Sequence, residues 1–143
     1  MSKVPPILLS AVICEKVIFD KISGLPSLIN IIQDLHSSKY PARNWHPVFF
    51  CEMTNGHASA EATIRLVDAQ NDDRIVFEQK GSINFKDVRQ IVTLAVNLHG
   101  IVFPHPGQYR FQLFADGRLM GERRINCKKI RKPPRPDSDI QKD

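Results

Sequence analysis

One ten-residue run of alternating side chains constrains the fold of this chain more than any other feature. In residues 57–66, HASAEATIRL, every second side chain is small or apolar, and the side chains between them are mostly polar. Because successive side chains of a β-strand point to opposite faces, the run predicts a strand with one face in a core. The predicted buried face carries Ala58, Ala60, Ala62, Ile64 and Leu66.

The same period of two recurs along the chain, and no segment keeps a helical period for three turns. Asp116-Gly117 lies between two such runs and predicts a tight hairpin, because its turn needs positive φ angles. Gly81 predicts a bulge within one strand, and residues 85–90 predict a short helical turn. The runs predict about eight strands, near residues 6–19, 27–36, 45–53, 57–69, 74–85, 90–99, 108–115 and 118–129. The fold class is therefore all-β, a single antiparallel β-sandwich.

The net charge of +5 comes from the C-terminal part of the chain. Residues 1–117 carry eleven basic and eleven acidic side chains, whereas residues 118–135 carry eight basic ones against Glu122. Residues 132–136 read KPPRP, and a proline-rich run cannot continue a strand. We expect a sandwich domain over residues 1–130 and a flexible, basic, proline-containing tail over 131–143.

A short motif refines the class of sandwich. Pro106, Gly107 and Tyr109 place a tyrosine two residues after a turn glycine at the start of a strand. The motif resembles the tyrosine corner of immunoglobulin-like domains, in which the ring is buried and the hydroxyl bonds to the backbone a few residues upstream. Phe111 stands where antibody domains carry a cysteine, and Trp45 is a candidate for the core tryptophan of a central strand. The prediction is an immunoglobulin-like sandwich without its disulfide.

The cysteines indicate a reducing compartment. Cys14, Cys51 and Cys127 are odd in number, widely spaced and without a CxxC pair, and each follows apolar residues that predict burial. The apolar run before Cys14 is short, and Ile13 occupies the position where a signal peptidase needs a small side chain. No stretch approaches the roughly 20 apolar residues of a membrane span. We expect a cytoplasmic protein with no membrane span.

Catalytic and metal-binding signatures are lacking in the sequence. The five histidines show no metal-ligand spacing, the glycines form no nucleotide-binding motif, and His105 between two prolines is expected at an exposed turn tip. Asp68, Asp72 and Asp73 are a possible calcium loop, but Arg74 adjoins them and no second acidic loop is evident. We predict no enzyme activity, no metal and no cofactor.

Two functions of different kinds stay open. The first is a protein-interaction or assembly module, with Tyr40, Arg43 and Trp45 in a partner-binding loop; alternatively, the two aromatic rings plug one end of the core. The second is nonspecific binding of nucleic acid or another anionic surface through a basic C-terminus. No aromatic residue follows Phe114, so the same charges are also explained as a solubilising edge strand. The basic candidates are Arg124, Lys128, Lys129, Arg131 and Lys132. The partner and the oligomeric state are not determined.

Strand period also predicts which side chains of the last strand face inward. Leu119, Ile125 and Cys127 define the core face, and Arg124 and Lys128 then project to solvent. Arg123 shares the inward register and must lie at the margin of the core, pair with an acid or follow a bulge at Gly121, because a buried unpaired guanidinium is too costly.

Three segments carry a resemblance to a known group of proteins. Residues 8–17 (LLSAVICEKV), 97–111 (NLHGIVFPHPGQYRF) and 116–124 (DGRLMGERR) look like those of small uncharacterised bacterial proteins of about this size. The resemblance implies a bacterial origin and a cytoplasmic β-sandwich. It brings no activity and no site residues.

Overall fold

The structure is a computed structural model that describes residues 4–131. Regular structure within that range consists of strands alone, eleven in number. Their bounds are β1 Ile7–Phe19, β2 Pro26–Ile31, β3 Asp34–Ser37, β4 Ala42–Trp45, β5 Val48–Thr54, β6 Ser59–Asp68, β7 Arg74–Asn84, β8 Val92–Asn97, β9 Ile101–Phe103, β10 Gly107–Ala115 and β11 Arg118–Lys129. The all-β prediction is confirmed.

The strands form two main sheets. Sheet 1 has four strands in the order β2-β1-β5-β8, and sheet 2 has five in the order β3-β11-β10-β6-β7. Neighbours are antiparallel, except that β3 runs parallel to β11. A small third sheet pairs β4 with β9.

The core lies between the two main sheets. Phe49 of sheet 1 contacts Phe111 of sheet 2, with ring centroids 6.3 Å apart, and both are almost fully buried. In the alternating run of β6, the side chains from Ala60 to Leu66 at every second position are buried, which contributes roughly 1.5–3 kcal/mol for each large aliphatic group. The period of two therefore produces the buried inner face on which the sandwich depends, and on the opposite face of β6 Thr63 and Val67 are buried as well.

Eleven strands replace the expected eight because the chain crosses between sheets. The run predicted over 27–36 divides into β2, in sheet 1, and β3, in sheet 2. The run predicted over 45–53 is interrupted at Pro47, which has no N–H to donate to a ladder. The short strand β9 was not predicted. Residues 85–90 form a turn without a helix, in which Gln90 N donates to Asp87 O at 2.9 Å.

The bulges of β7 and β11 do not lie at the glycines that the sequence indicated. Gly81 pairs regularly with Ala62, and the extra residue in β7 is Val76, between Ile75 and Phe77. In β11 the extra residue is Met120, one position before the glycine at 121.

The bulge in β11 reverses the predicted direction of Leu119. Leu119 is 51% exposed instead of facing the core, whereas Met120 packs against the core. Arg123 remains in the inward register and is half-buried. Ala58 was also wrongly placed in the core: it lies before β6, has a φ of 68° and is exposed.

Strand β11 is only in part an edge strand. β3 pairs with its last four residues, from Asn126 to Lys129, so the solubilising-edge interpretation fails there. The preceding part of β11, from Arg118 to Ile125, pairs with β10 alone among the described strands.

Candidate functional site

The structure gathers several predicted basic residues at the end of sheet 2. Ile130 N donates to Ser37 O at 3.1 Å, which holds the end of β11 beside the end of β3. The loop after β3 folds back onto the same strand, because the Tyr40 hydroxyl donates to Lys128 O at 2.7 Å. We call this surface the basic end; it consists of Lys39, Arg43, Lys128, Lys129 and Arg131.

Within residues 4–131, the positive charge of the basic end is mostly unpaired. Lys128 Nζ lies 3.4 Å from Asp34 Oδ2, but the other four side chains make no ion pair with an acid among residues 4–131. Arg124 is exposed on the outer face of sheet 2, roughly 13 Å along the strand from Lys128. Lys132 lies outside the described residues. Arg124 is therefore near the basic end without belonging to it.

The two aromatic side chains of the predicted binding loop mostly contact the rest of the fold and are not free to bind a partner. Tyr40 and Trp45 are half-buried and pack against the core. The Trp45 ring lies on Phe103, with centroids 5.2 Å apart, within the small β4–β9 sheet. The expectation of a central-strand tryptophan was therefore wrong, and the central strand β5 carries Phe49 in the core instead. This packing supports the plug interpretation of the loop.

Tyr109 has the geometry of a tyrosine corner. Its ring is fully buried and meets Phe103 edge to face, with centroids 4.9 Å apart. Its hydroxyl donates to His105 O at 2.6 Å and accepts from His105 N at 3.2 Å. Burial raises the pKa of Tyr109 to about 12. Gly107, which follows Pro106, has a φ of 145°, and a Cβ there would collide with Gln70.

His105 is more than an exposed turn tip, since its ring reaches a buried carboxylate. His105 Nε2 lies 2.5 Å from Asp68 Oδ2, and Nδ1 lies 2.7 Å from Pro106 O. The Asp68 side chain is almost fully buried. Hydrogen bonds to the Pro106 carbonyl and the Asp68 carboxylate raise the pKa of His105. Because both ring nitrogens face acceptors, this ring favours the imidazolium form and presents no free lone pair for a substrate proton or a metal.

The acidic turn after β6 does not converge on a cation site. Asp68 turns inward to His105, and Asp73 forms an ion pair with Arg110. Among residues 4–131 no group of three His, Cys, Asp or Glu side chains is placed to hold a metal ion.

The three cysteines are buried and unpaired. Burial raises the pKa of each thiol, to about 12 for Cys51 and Cys127. A nucleophilic cysteine needs a lowered pKa. Their environment is that of structural thiols.

Sequence reasoning missed a cluster of exposed apolar side chains on the β1–β2 hairpin. We call it the hairpin patch; its members range from 38% to 97% exposed and are Ile18, Phe19, Ile22, Leu25, Ile29 and Ile31. The signal was present in the sequence, because two large aliphatic residues flank the Ser23-Gly24 turn, where polar residues are usual.

The hairpin projects beyond its neighbouring strand. Pairing between β1 and β5 ends at Cys14, whereas pairing between β1 and β2 continues to Phe19. The Asp20 carboxylate accepts from Ile22 N at 3.0 Å and Ser23 N at 2.6 Å, and this turn holds the Ile22 side chain in solvent. The nearby charges, two acidic and two basic between residues 15 and 21, cancel.

The part of the chain that the structure describes has no helix of the length and hydrophobicity that a membrane crossing requires.

Comparison with known proteins identifies a family by sequence. A family model described as "Family of unknown function (DUF6941)" matches residues 9–128. No curated protein matches the chain. Among solved structures, an immunoglobulin-like protein from Pseudomonas aeruginosa is similar at 12% identity and a TM-score of 0.40, over 89% of this chain and 99% of its own.

Proposed function

This chain belongs to the DUF6941 family of unknown function, and we propose that it is a noncatalytic protein-interaction or assembly module. The bacterial origin and cytoplasmic location expected from the sequence remain part of this proposal. The tail predicted over 131–143 lies, beyond Arg131, outside the described residues. The observation that carries the proposal is the hairpin patch.

Exposed apolar surface of this kind favours a protein partner. Ile22 is 97% exposed and Leu25 is 66% exposed, on a projecting turn whose backbone is held by hydrogen bonds. Single exposed apolar residues are ordinary, but Ile18, Ile29 and Ile31 share one face of the paired strands, and several exposed apolar groups on one projecting element are typical of interaction surfaces. A preformed turn also loses little conformational entropy when it docks. The neutral charge of the hairpin favours contact with apolar protein surface over attraction to an anion.

A capture experiment with matched variants tests the proposal. The full chain is used as bait in an extract of its native host, beside the double variant Ile22→Asp/Leu25→Asp and the control Val88→Asp. Val88 is an exposed aliphatic residue (41%) in a turn between β7 and β8. Wild type and the control should recover one protein in stoichiometric amount, and the hairpin variant should lose it.

Two results would contradict the proposal: recovery of no stoichiometric protein, or recovery that the hairpin variant leaves unchanged. Circular dichroism of each variant separates loss of binding from loss of fold. Sedimentation of the purified chain shows whether the partner is a second copy.

The basic end supports a second candidate, nonspecific binding of nucleic acid or another anionic surface. Its supporting observation is the bond from Tyr40 to Lys128, which joins charges from two distant segments. The variant Lys128→Glu/Lys129→Glu should elute from heparin at lower salt than wild type. With fewer basic contacts, its binding releases fewer counterions from heparin. Elution of wild type at low salt, unaffected by the variant, would eliminate this candidate.

A further inference from the structure

The two main sheets differ in strand number, and this leaves a position empty. On one side of the sandwich, the last two strands of sheet 2 are β6 and β7, whereas the last strand of sheet 1 is β8. On this side of the sandwich both edges are unpaired among the described strands. The inner face of β7 therefore extends past the last strand of the opposite sheet.

A cleft of about 100 Å³ opens between the sheets at this side. It reaches into the core, and its apolar lining includes Cys51, Ile64, Ile83, Leu94, Val96 and Leu113. The side chains of Leu94 and Val96 face the core but remain half-buried, because among the described residues no fifth strand of sheet 1 covers them.

Gly81 is the reason that β7 does not fill the cleft itself. It lies in the same inward register as Ile83, so a side chain at this position would point between the sheets. A Cβ built there meets no atom within 4 Å. The void is thus a missing side chain in the part of β7 that pairs regularly with β6.

We propose that an extended segment of a partner polypeptide pairs with the free edge of β8 as a fifth strand of sheet 1, and inserts an apolar side chain into the cleft over Gly81. This inference deepens the proposed function by naming the form of the partner. Strand addition satisfies the unpaired backbone groups of an edge, and alternate side chains provide specificity.

The size and chemistry of the cleft suit this occupant. A dry apolar cavity of roughly 150 Å³ holds one benzene molecule, so this smaller cleft suits one aliphatic side chain. The cleft lining also includes the polar residues Gln79, Lys80 and Ser82 of β7. The chain's own residues 132–143 lack the needed alternation, since they contain three prolines and Ile140 as their one large apolar residue.

The experiment uses the full chain and a synthetic peptide of alternating threonine and isoleucine. Hydrogen exchange measured by mass spectrometry should show new protection over Val92–Asn97 when the peptide is added. A permuted peptide of the same composition, with its isoleucines contiguous, should give no such protection.

Two variants with matched substitutions locate the insertion. Gly81→Val fills the cleft and should weaken peptide binding by about tenfold or more, while raising the melting temperature. Asn84→Val, which changes an exposed position of the same strand on the opposite face and outside the cleft lining, should bind the peptide like wild type. Because open space surrounds Gly81, the first variant is expected to fold.

Several outcomes would overturn the inference. One is that the peptide does not protect β8 from hydrogen exchange, or protects the edge of β2 or β3 instead. Another is that Gly81→Val binds the peptide as tightly as wild type. Saturation of the cleft by benzene with no peptide binding would indicate a small-molecule site instead. The Ile22→Asp/Leu25→Asp variant should still bind the peptide, so failure of the hairpin proposal and failure of strand addition are distinguishable.

Discussion

The hydroxyl of Tyr109 is expected to stabilise the fold through two backbone contacts. The substitution Tyr109→Phe retains the ring in the core but leaves the His105 N–H and C=O without their partner. An unsatisfied buried group costs about 1–3 kcal/mol, and both groups are only partly buried, so we expect a loss of about 1.5–3 kcal/mol in the free energy of unfolding. Tyr109→Ala, which also empties the ring site, should cost about 3–5 kcal/mol.

Urea unfolding monitored by tryptophan fluorescence measures these losses. Trp45 is the single tryptophan, and its ring lies on Phe103, which in turn contacts Tyr109. Tyr40→Phe is a matched control, because it removes one solvent-exposed hydroxyl bond and should cost only about 0.5 kcal/mol. Equal losses for the two tyrosine variants, or a Tyr109→Phe value within about 0.3 kcal/mol of wild type, would refute the reasoning.

Three further predictions concern titration and the C-terminus. Because the pKa of His105 is raised above 6.5 in the folded state, its pairing with Asp68 stabilises the protein fully below that pH. The stability difference between wild type and His105→Gln, measured in urea, should therefore shrink as the pH rises through the raised pKa; a constant difference would contradict the pairing. The thiols of Cys51 and Cys127 should react with a disulfide reagent at pH 8 only after unfolding, and rapid reaction of the native protein would disprove their burial. Removal of residues 132–143 should leave the melting temperature within about 2 °C of wild type, since these residues contain three prolines and a single large apolar residue, and unfolding of the truncated chain would show that the tail belongs to the sandwich.

The sequence by itself determined the local geometry of this protein. The alternation over residues 57–66 predicted β6 and most of its buried face, because the direction of a side chain along a strand depends only on its position. The motif around Gly107 and Tyr109 predicted the tyrosine corner, because its turn and its hydrogen bonds span only five residues.

Tertiary structure alone decided the surfaces that bear on function. The Asp68–His105 pair joins residues 37 positions apart, and the basic end depends on a bond between residues 88 positions apart. The bulge at Met120 and the cleft over Gly81 arise from how the strands pair and how many strands each sheet contains. Alternation specifies that a residue lies in a strand and which face it takes. It does not specify the neighbouring strand, because that choice is set by the free energy of packing both sheets together.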